Sequence, residues 1–163
     1  MALKIKFVDY SAKVTAELDE ATFNFLEEAG STVEDRVKKL TRVDSGKTRD
    51  KWDHVVDKAG LKVTVGNPLE NAIWEERGTG EYALYGKGRK GGWWIPAKEL
   101  DPRTIGLFES KYNFIKSVDE DTGEAFYFTR GKKGTRALHK AFKNSKGEIT
   151  KKAKAIFKEL DSK

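Results

Sequence analysis

The sequence predicts an α+β fold: a long amphipathic helix, short strands pairing in hairpins, and a closing helix. Between residues 14 and 40, Val14, Leu18, Phe25, Ala29, Val33, Val37 and Leu40 recur at spacings of three, four and seven, forming one stripe of a helix. Later come short alternating runs separated by turn residues, the signature of antiparallel hairpins rather than βαβ units. Two amphipathic helices beside such strands predict a mainly antiparallel sheet packed by both helices. At 163 residues the chain fits a single domain over 1–163, and no linker divides it.

In chain order, Leu3, Ile5 and Phe7 alternate with Lys4 and Lys6, which predicts a short half-buried strand. Asp9 or Ser11 caps the long helix, which runs to about Thr41 with Gly30 as its weak point. Val43-Asp44-Ser45-Gly46 ends it with turn chemistry. Runs at 50–57 (Trp52, Val55, Val56) and 61–66 (Leu61, Val63, Val65) form a hairpin around Lys58-Ala59-Gly60. Pro68 breaks the pattern, and residues 70–77 have room for one helical turn.

Six glycines at 78, 80, 86, 88, 91 and 92 predict a flexible loop over 78–92, carrying Tyr82, Tyr85, Lys87, Arg89 and Lys90. Trp93-Trp94-Ile95 reads as a strand. Residues 111–118 and 124–130 read as a second hairpin, with Tyr112, Phe114 and Val118 on one arm and Phe126 and Phe128 on the other. Leu138 and Phe142 then share a helical face. Ser145-Lys146-Gly147-Glu148 has capping-box spacing before a last stripe of Ile149, Ala153, Ile156, Phe157 and Leu160.

Composition excludes several classes. There is no cysteine, hence no disulfide framework and no thiolate metal site. No apolar run approaches the roughly 18 residues of a membrane span, and MALKIKFVDY lacks a signal-peptide core. The 18 aromatics argue against a disordered chain. Charge is uneven: residues 1–129 carry 20 Lys/Arg against 23 Asp/Glu, and residues 130–163 carry 12 against 3. A basic end beside an acidic body suits nucleic-acid contact, packing against an acidic neighbour, or plain solvation.

Catalytic signals fail their context tests. Asp44-Ser45-Gly46 and Asp121-Thr122-Gly123 imitate the paired loops of an aspartic protease, but the second lies in an acidic run at a hairpin tip, where turn chemistry suffices. The run from Asp119 puts Gly123 fifth and Arg130 twelfth, whereas a calcium loop needs glycine sixth and glutamate twelfth. Gly80 to Gly86 has one residue too many for a phosphate loop, and Gly88 stands where Ser or Thr should bind magnesium. Gly78-x-Gly80-x-x-Ala83 follows Trp74-Glu75-Glu76-Arg77, which is no buried parallel strand. His54 and His139 read as surface or packing residues, and adjacent Glu75 and Glu76 need not cooperate. The residues thus point to no enzyme, no metal and no cofactor.

An ordered set of landmarks resembles a family of small tailed-bacteriophage proteins of the neck or tail. Arg42-Val43-Asp44-Ser45-Gly46 is similar to the family's Pro-Val-Asp-Thr-Gly turn, and Val63-Thr64-Val65-Gly66 to its strand ending in Val-Gly. Asn71-Ala72 with Glu76-Arg77-Gly78-Thr79-Gly80 resembles its Tyr-Ala followed by Glu-x-Gly-Thr-Gly. Gly91-Gly92-Trp93, Thr129-Arg130-Gly131 and Leu138-His139-Lys140-Ala141 resemble later elements, so the likeness spans roughly residues 30–142. Arg42, Asn71 and Arg136-Ala137-Leu138 depart from the family's Pro, Tyr and Pro-Phe-Leu.

The resemblance implies a structural virion subunit in head–tail joining or tail completion, assembled in the host cytoplasm as a homo-oligomeric ring. Its partners would be connector, tail-terminator or tail-tube proteins, without membrane contact. In such a ring Glu76, Gly78, Thr79, Gly80, Tyr82, Trp93 and Trp94 are the expected interface. Arg130, Lys132, Lys133, Arg136 and Lys140, which fall within eleven residues that include no acid, would line a DNA channel or dock on an acidic neighbour. The Glu27, Glu28, Glu34 and Asp35 face of an adjacent copy is one such acceptor. The rival class is a nucleic-acid-binding protein that grips phosphates through this basic end.

Overall fold

The computed structural model describes residues 9–43, 45–111 and 115–161, the side chains of 107–111 and 159–161 excepted. The strand expected at Leu3, Ile5 and Phe7, the turn residue Asp44, the arm residues Tyr112 and Phe114 and the side chain of Leu160 lie outside the described residues. The elements run α1 (Ser11–Leu40), α2 (Lys47–Asp50), β1 (Asp53–Asp57), β2 (Lys62–Gly66), α3 (Glu70–Arg77), β3 (Trp93–Pro96), α4 (Pro102–Lys111), β4 (Lys116–Val118), β5 (Ala125–Thr129) and α5 (Ala137–Asp161). Short 3₁₀ turns lie at Gly80–Tyr82, Leu84–Gly86 and Ala97–Glu99. The fold is α+β, a long N-terminal helix packed on a small antiparallel sheet with a C-terminal helix. No described helix is long and apolar enough to cross a membrane.

The chain divides into two compact units, one of residues 1–69 and 137–163, the other of residues 70–136. In the first, α1 packs on the β1–β2 hairpin and on α5. The hairpin register pairs Asp53 with Gly66 and Asp57 with Lys62. The core joins Val33, Val37, Trp52, Ala137 and Ala141, with Val65, Leu138 and Ile149 against it. Trp52 anchors it: its indole Nε1–H donates to Thr41 Oγ1 at 2.9 Å, and that hydroxyl donates to the Val37 carbonyl at 2.7 Å. A large ring is thus buried with its one polar atom satisfied.

Three sequence expectations change here. The stripe of α1 is buried only in its second half, where Leu26, Ala29, Gly30, Val33 and Val37 pack, while Val14, Leu18 and Leu40 are exposed. The run expected as strand from residue 50 begins with the helical turn α2, and β1 starts at Asp53. The break at Ser145–Glu148 is absent and α5 is continuous. Ser145 faces the core at 0% exposure, and packing against α1 outweighs the roughly 1 kcal/mol that Gly147 costs within a helix.

Gly30 is no weak point. A Cβ there would lie 2.7 Å from Val63 Cγ2 and closer still to the His54 ring, so only glycine lets the hairpin rest on α1.

In the second unit β5 is central, pairing antiparallel with β3 (Trp93 opposite Thr129) and with β4 (Val118 opposite Ala125). The described residues therefore form two small sheets, of two and three strands, rather than one. The second hairpin forms, but its first arm starts at Lys116 because Lys111 still belongs to α4. That helix was not anticipated. Its start is encoded in Asp101-Pro102: Asp101 caps by accepting from the Thr104 N–H at 2.9 Å and from its hydroxyl at 2.5 Å, with proline in the first turn. The tip of the second hairpin is an exposed turn, in which Asp119 accepts from the N–H groups of Asp121 and Thr122 at 3.0 and 2.8 Å.

Candidate functional site

In the second unit, residues 75–81 and 130–136 lie side by side, joined through the main chain. The Thr79 N–H donates to the Lys132 carbonyl at 2.9 Å, and the Lys132 N–H returns to Thr79 Oγ1 at 3.0 Å. The Glu81 N–H donates to the Arg130 carbonyl at 2.9 Å, and the Thr135 N–H to the Glu75 carbonyl at 2.7 Å. Gly78 and Gly80 make this possible, with φ of +80° and +59° and no room for a side chain. A Cβ on Gly80 would lie 2.8 Å from the Arg130 carbonyl carbon and from Trp93 Cζ3. The close approach these glycines permit is therefore made by the chain's own residues 130–134.

The 78–92 stretch, expected as a flexible loop, contains local backbone structure. Two 3₁₀ turns occupy it, and the Gly91 N–H donates to Glu81 Oε1 at 3.2 Å. Entropy lost at the glycines is offset by backbone bonds that residues 130–132 supply, which no local pattern reveals.

The frame presents aromatic side chains to solvent. Tyr85 is 80% exposed, and Trp74, Tyr82 and Trp94 are each close to half exposed. Trp93 is half-buried over Gly80, whereas Trp94 leans on Phe128 with ring centroids 5.2 Å apart. Ile73, Trp74, Ala83, Leu84, Tyr85 and Lys87 contribute to an open cleft of about 430 Å³. Glu76 is partly buried at the end of α3, where its carbonyl accepts from the Arg136 N–H at 3.3 Å. Sequence reasoning missed Ile73 and Trp74; their adjacency to the Gly-Thr-Gly segment was the available signal.

The expected basic cluster divides. Arg130, Lys132, Lys133 and Arg136 belong to the second unit, and Lys140 to the first, on α5. Arg130 pairs with Glu81 at 3.5 Å, Lys132 pairs with Glu75, and the Lys133 ammonium lies 5.7 Å from the Tyr82 ring centroid. Much of this positive charge is met locally.

In the first unit, two acids of the expected acceptor face, Glu27 and Glu34, are joined to His54 instead. His54 on β1 lies across Gly30 of α1, flanked by glutamates at helical spacing. Its Nδ1 meets Glu34 Oε2 at 2.5 Å and its Nε2 meets Glu27 Oε2 at 3.1 Å, while Lys38 Nζ meets Glu34 Oε1 at 2.5 Å. The Glu34 hydrogen bond, opposed by burial and aided by Glu27, raises the His54 pKa above its ordinary value. Burial pushes Glu34 up, but bonds from Lys38 and His54 outweigh it and hold the carboxyl low. Glu34, Asp53 and His54 place ligand atoms within 4.8 Å of one another, close enough for a cation. Yet both ring nitrogens already bond carboxylates and Lys38 occupies Glu34, so the arrangement suits a proton better than a metal.

A pH dependence follows. A raised folded pKa means the clamp's contribution is fully present below the unfolded value of 6.5 and is lost as pH rises through the higher folded value. The stability advantage of wild type over His54→Gln should therefore shrink as pH rises from 6.5 through the higher folded value. Urea unfolding across that range checks this, and a constant difference would contradict it.

No family model, curated protein or solved structure matches the chain.

Proposed function

We propose that this chain is a non-enzymatic structural subunit of a tailed-phage neck or tail, assembling as a ring in head–tail joining or tail completion. The observation that carries this reading is the aromatic surface of the second unit. Trp74 and Tyr82 flank the 75–81 segment that main-chain hydrogen bonds join to residues 130–135. Tyr85 lies in the 3₁₀ turn that follows, Trp94 lies on β3, and all four are exposed. Large exposed aromatic side chains, which have only two side-chain torsions to fix on burial, behave as interface anchors. The same frame contains Glu76-Arg77-Gly78-Thr79-Gly80 and Thr129-Arg130-Gly131, two of the landmarks that resemble the phage family.

The pairing of Lys132 with Glu75 and of Arg130 with Glu81 supports protein docking over phosphate gripping. Cations already facing carboxylates release few counterions on meeting DNA. The gene's neighbours test the class: a block of portal, capsid and tail genes is expected. A setting among genes of a metabolic route would overturn the reading.

A further inference from the structure

The first unit carries two complementary surfaces at its opposite ends. Near the N-terminal end of α1, Phe23, Leu26 and Leu61 line a recess of about 400 Å³ with Asp19, Glu20 and Lys58. Asp19 and Glu20 are exposed there, as is Leu61. Lys58 is the lining's cation, its ammonium 3.8 Å from the Phe23 ring centroid, against the two carboxylates. Of the acids further along α1, Glu27 and Glu34 hold His54, and Glu28 meets Lys152 at 3.4 Å. At the start of α5, Phe142 is 61% exposed, and Lys140, Lys143 and Lys146 are exposed around it. No acidic residue occurs from 137 to 147.

The two surfaces cannot meet within one copy. α1 and α5 run antiparallel, because Arg36 bonds Asn144 and Glu148 while Phe157 lies 6.5 Å from Phe25. Phe142 is thus level with the last turn of α1. The recess lies some 17 residues back, about 25 Å at 1.5 Å per residue. A basic apolar knob at one end and an acidic apolar recess at the other make a heterologous pair, which joins copies head to tail and closes into a ring where the rotation allows.

We propose that Phe142 of one copy seats in the Phe23–Leu26–Leu61 recess of the next, with Lys143 and Lys146 facing Asp19 and Glu20. This contact rests on the assembly reading and supplies its self-association step. Lys146, four residues after the aromatic ring, shares its helical face, and Lys143 flanks that face at the next position, which fixes orientation as well as attraction.

Sedimentation velocity on the full chain over a concentration series tests the contact. Asp19→Lys/Glu20→Lys and Lys143→Glu/Lys146→Glu should each weaken self-association about tenfold or more. Both should keep the wild-type circular-dichroism unfolding curve. Mixed in equal amounts, the two reversed proteins should associate again, since each then offers the other matched surfaces. Phe142→Glu should abolish association, with no rescue in either mixture. If wild type and both reversals assemble equally, the contact is wrong and ring assembly stands on another surface. If reversal blocks and mixing restores association, but the products are open filaments, the contact stands and the ring reading falls. A wild type that is monomeric at every concentration overturns both.

Discussion

Replacing Trp52 with alanine is expected to cost about 3–5 kcal/mol, the largest effect of any single truncation in the first unit. The indole is 6% exposed and lies in one cluster with Val33, Val37, Ala137 and Ala141. Its removal leaves a cavity where the stretch between α2 and β1 meets both long helices. It also takes away the donor that Thr41 Oγ1 accepts at 2.9 Å. Against a total of roughly 5–15 kcal/mol for a domain, that loss would leave much of the population unfolded at ordinary temperature. Trp52→Phe keeps a ring and loses the hydrogen bond, so it should cost about 1–2 kcal/mol. Urea unfolding followed by far-ultraviolet circular dichroism measures both. A Trp52→Ala loss below about 1 kcal/mol would contradict the core described above.

Gly80→Ala should cost about 3 kcal/mol, whereas Gly86→Ala should cost only about 1. Both glycines have positive φ, +59° and +67°, so the left-handed strain of adding a Cβ is shared. They differ in surroundings. A Cβ on Gly80 meets the Arg130 carbonyl and the Trp93 ring, while one on Gly86 meets nothing within 4 Å. The difference thus isolates the close approach of 78–81 to 130–132. Amide exchange gives a local readout: the N–H groups of Thr79 and Glu81 should lose protection in Gly80→Ala and keep it in Gly86→Ala. Equal costs at the two positions would show that the two segments are not packed as described.

Much of the fold was legible because the signals were local and periodic. The stripe from Ala29 to Val37 marked the packed half of α1, and Val55, Val56, Val63 and Val65 marked a hairpin that forms. What failed was the inference from periodicity to burial. Val14 and Leu18 continue the same stripe, yet no described residue of their own unit covers them, because the described part of α5 ends before it reaches that part of α1. The Ser145–Glu148 spacing imitated a cap, but whether a serine caps a helix or faces a neighbouring helix depends on that neighbour.

The candidate site was legible as composition and not as geometry. Gly78, Thr79, Gly80 and the basic residues after Thr129 were singled out separately. Their main-chain pairing connects positions some fifty residues apart, and no spacing rule reports that. Glu75 was read only beside Glu76 and Glu81 was not singled out, yet they pair with Lys132 and Arg130. The Glu27–Gly30–Glu34 socket for His54 was present in the sequence at helical spacing. It gains meaning only once the hairpin lays His54 across the glycine.

The proposal that this chain is built into a virion is tested most directly by immunogold electron microscopy on particles purified from lysates that contain it, with antibody against the full chain. Label confined to the neck or tail is the predicted result. Particles that carry no label, from lysates in which the chain is abundant, would contradict it.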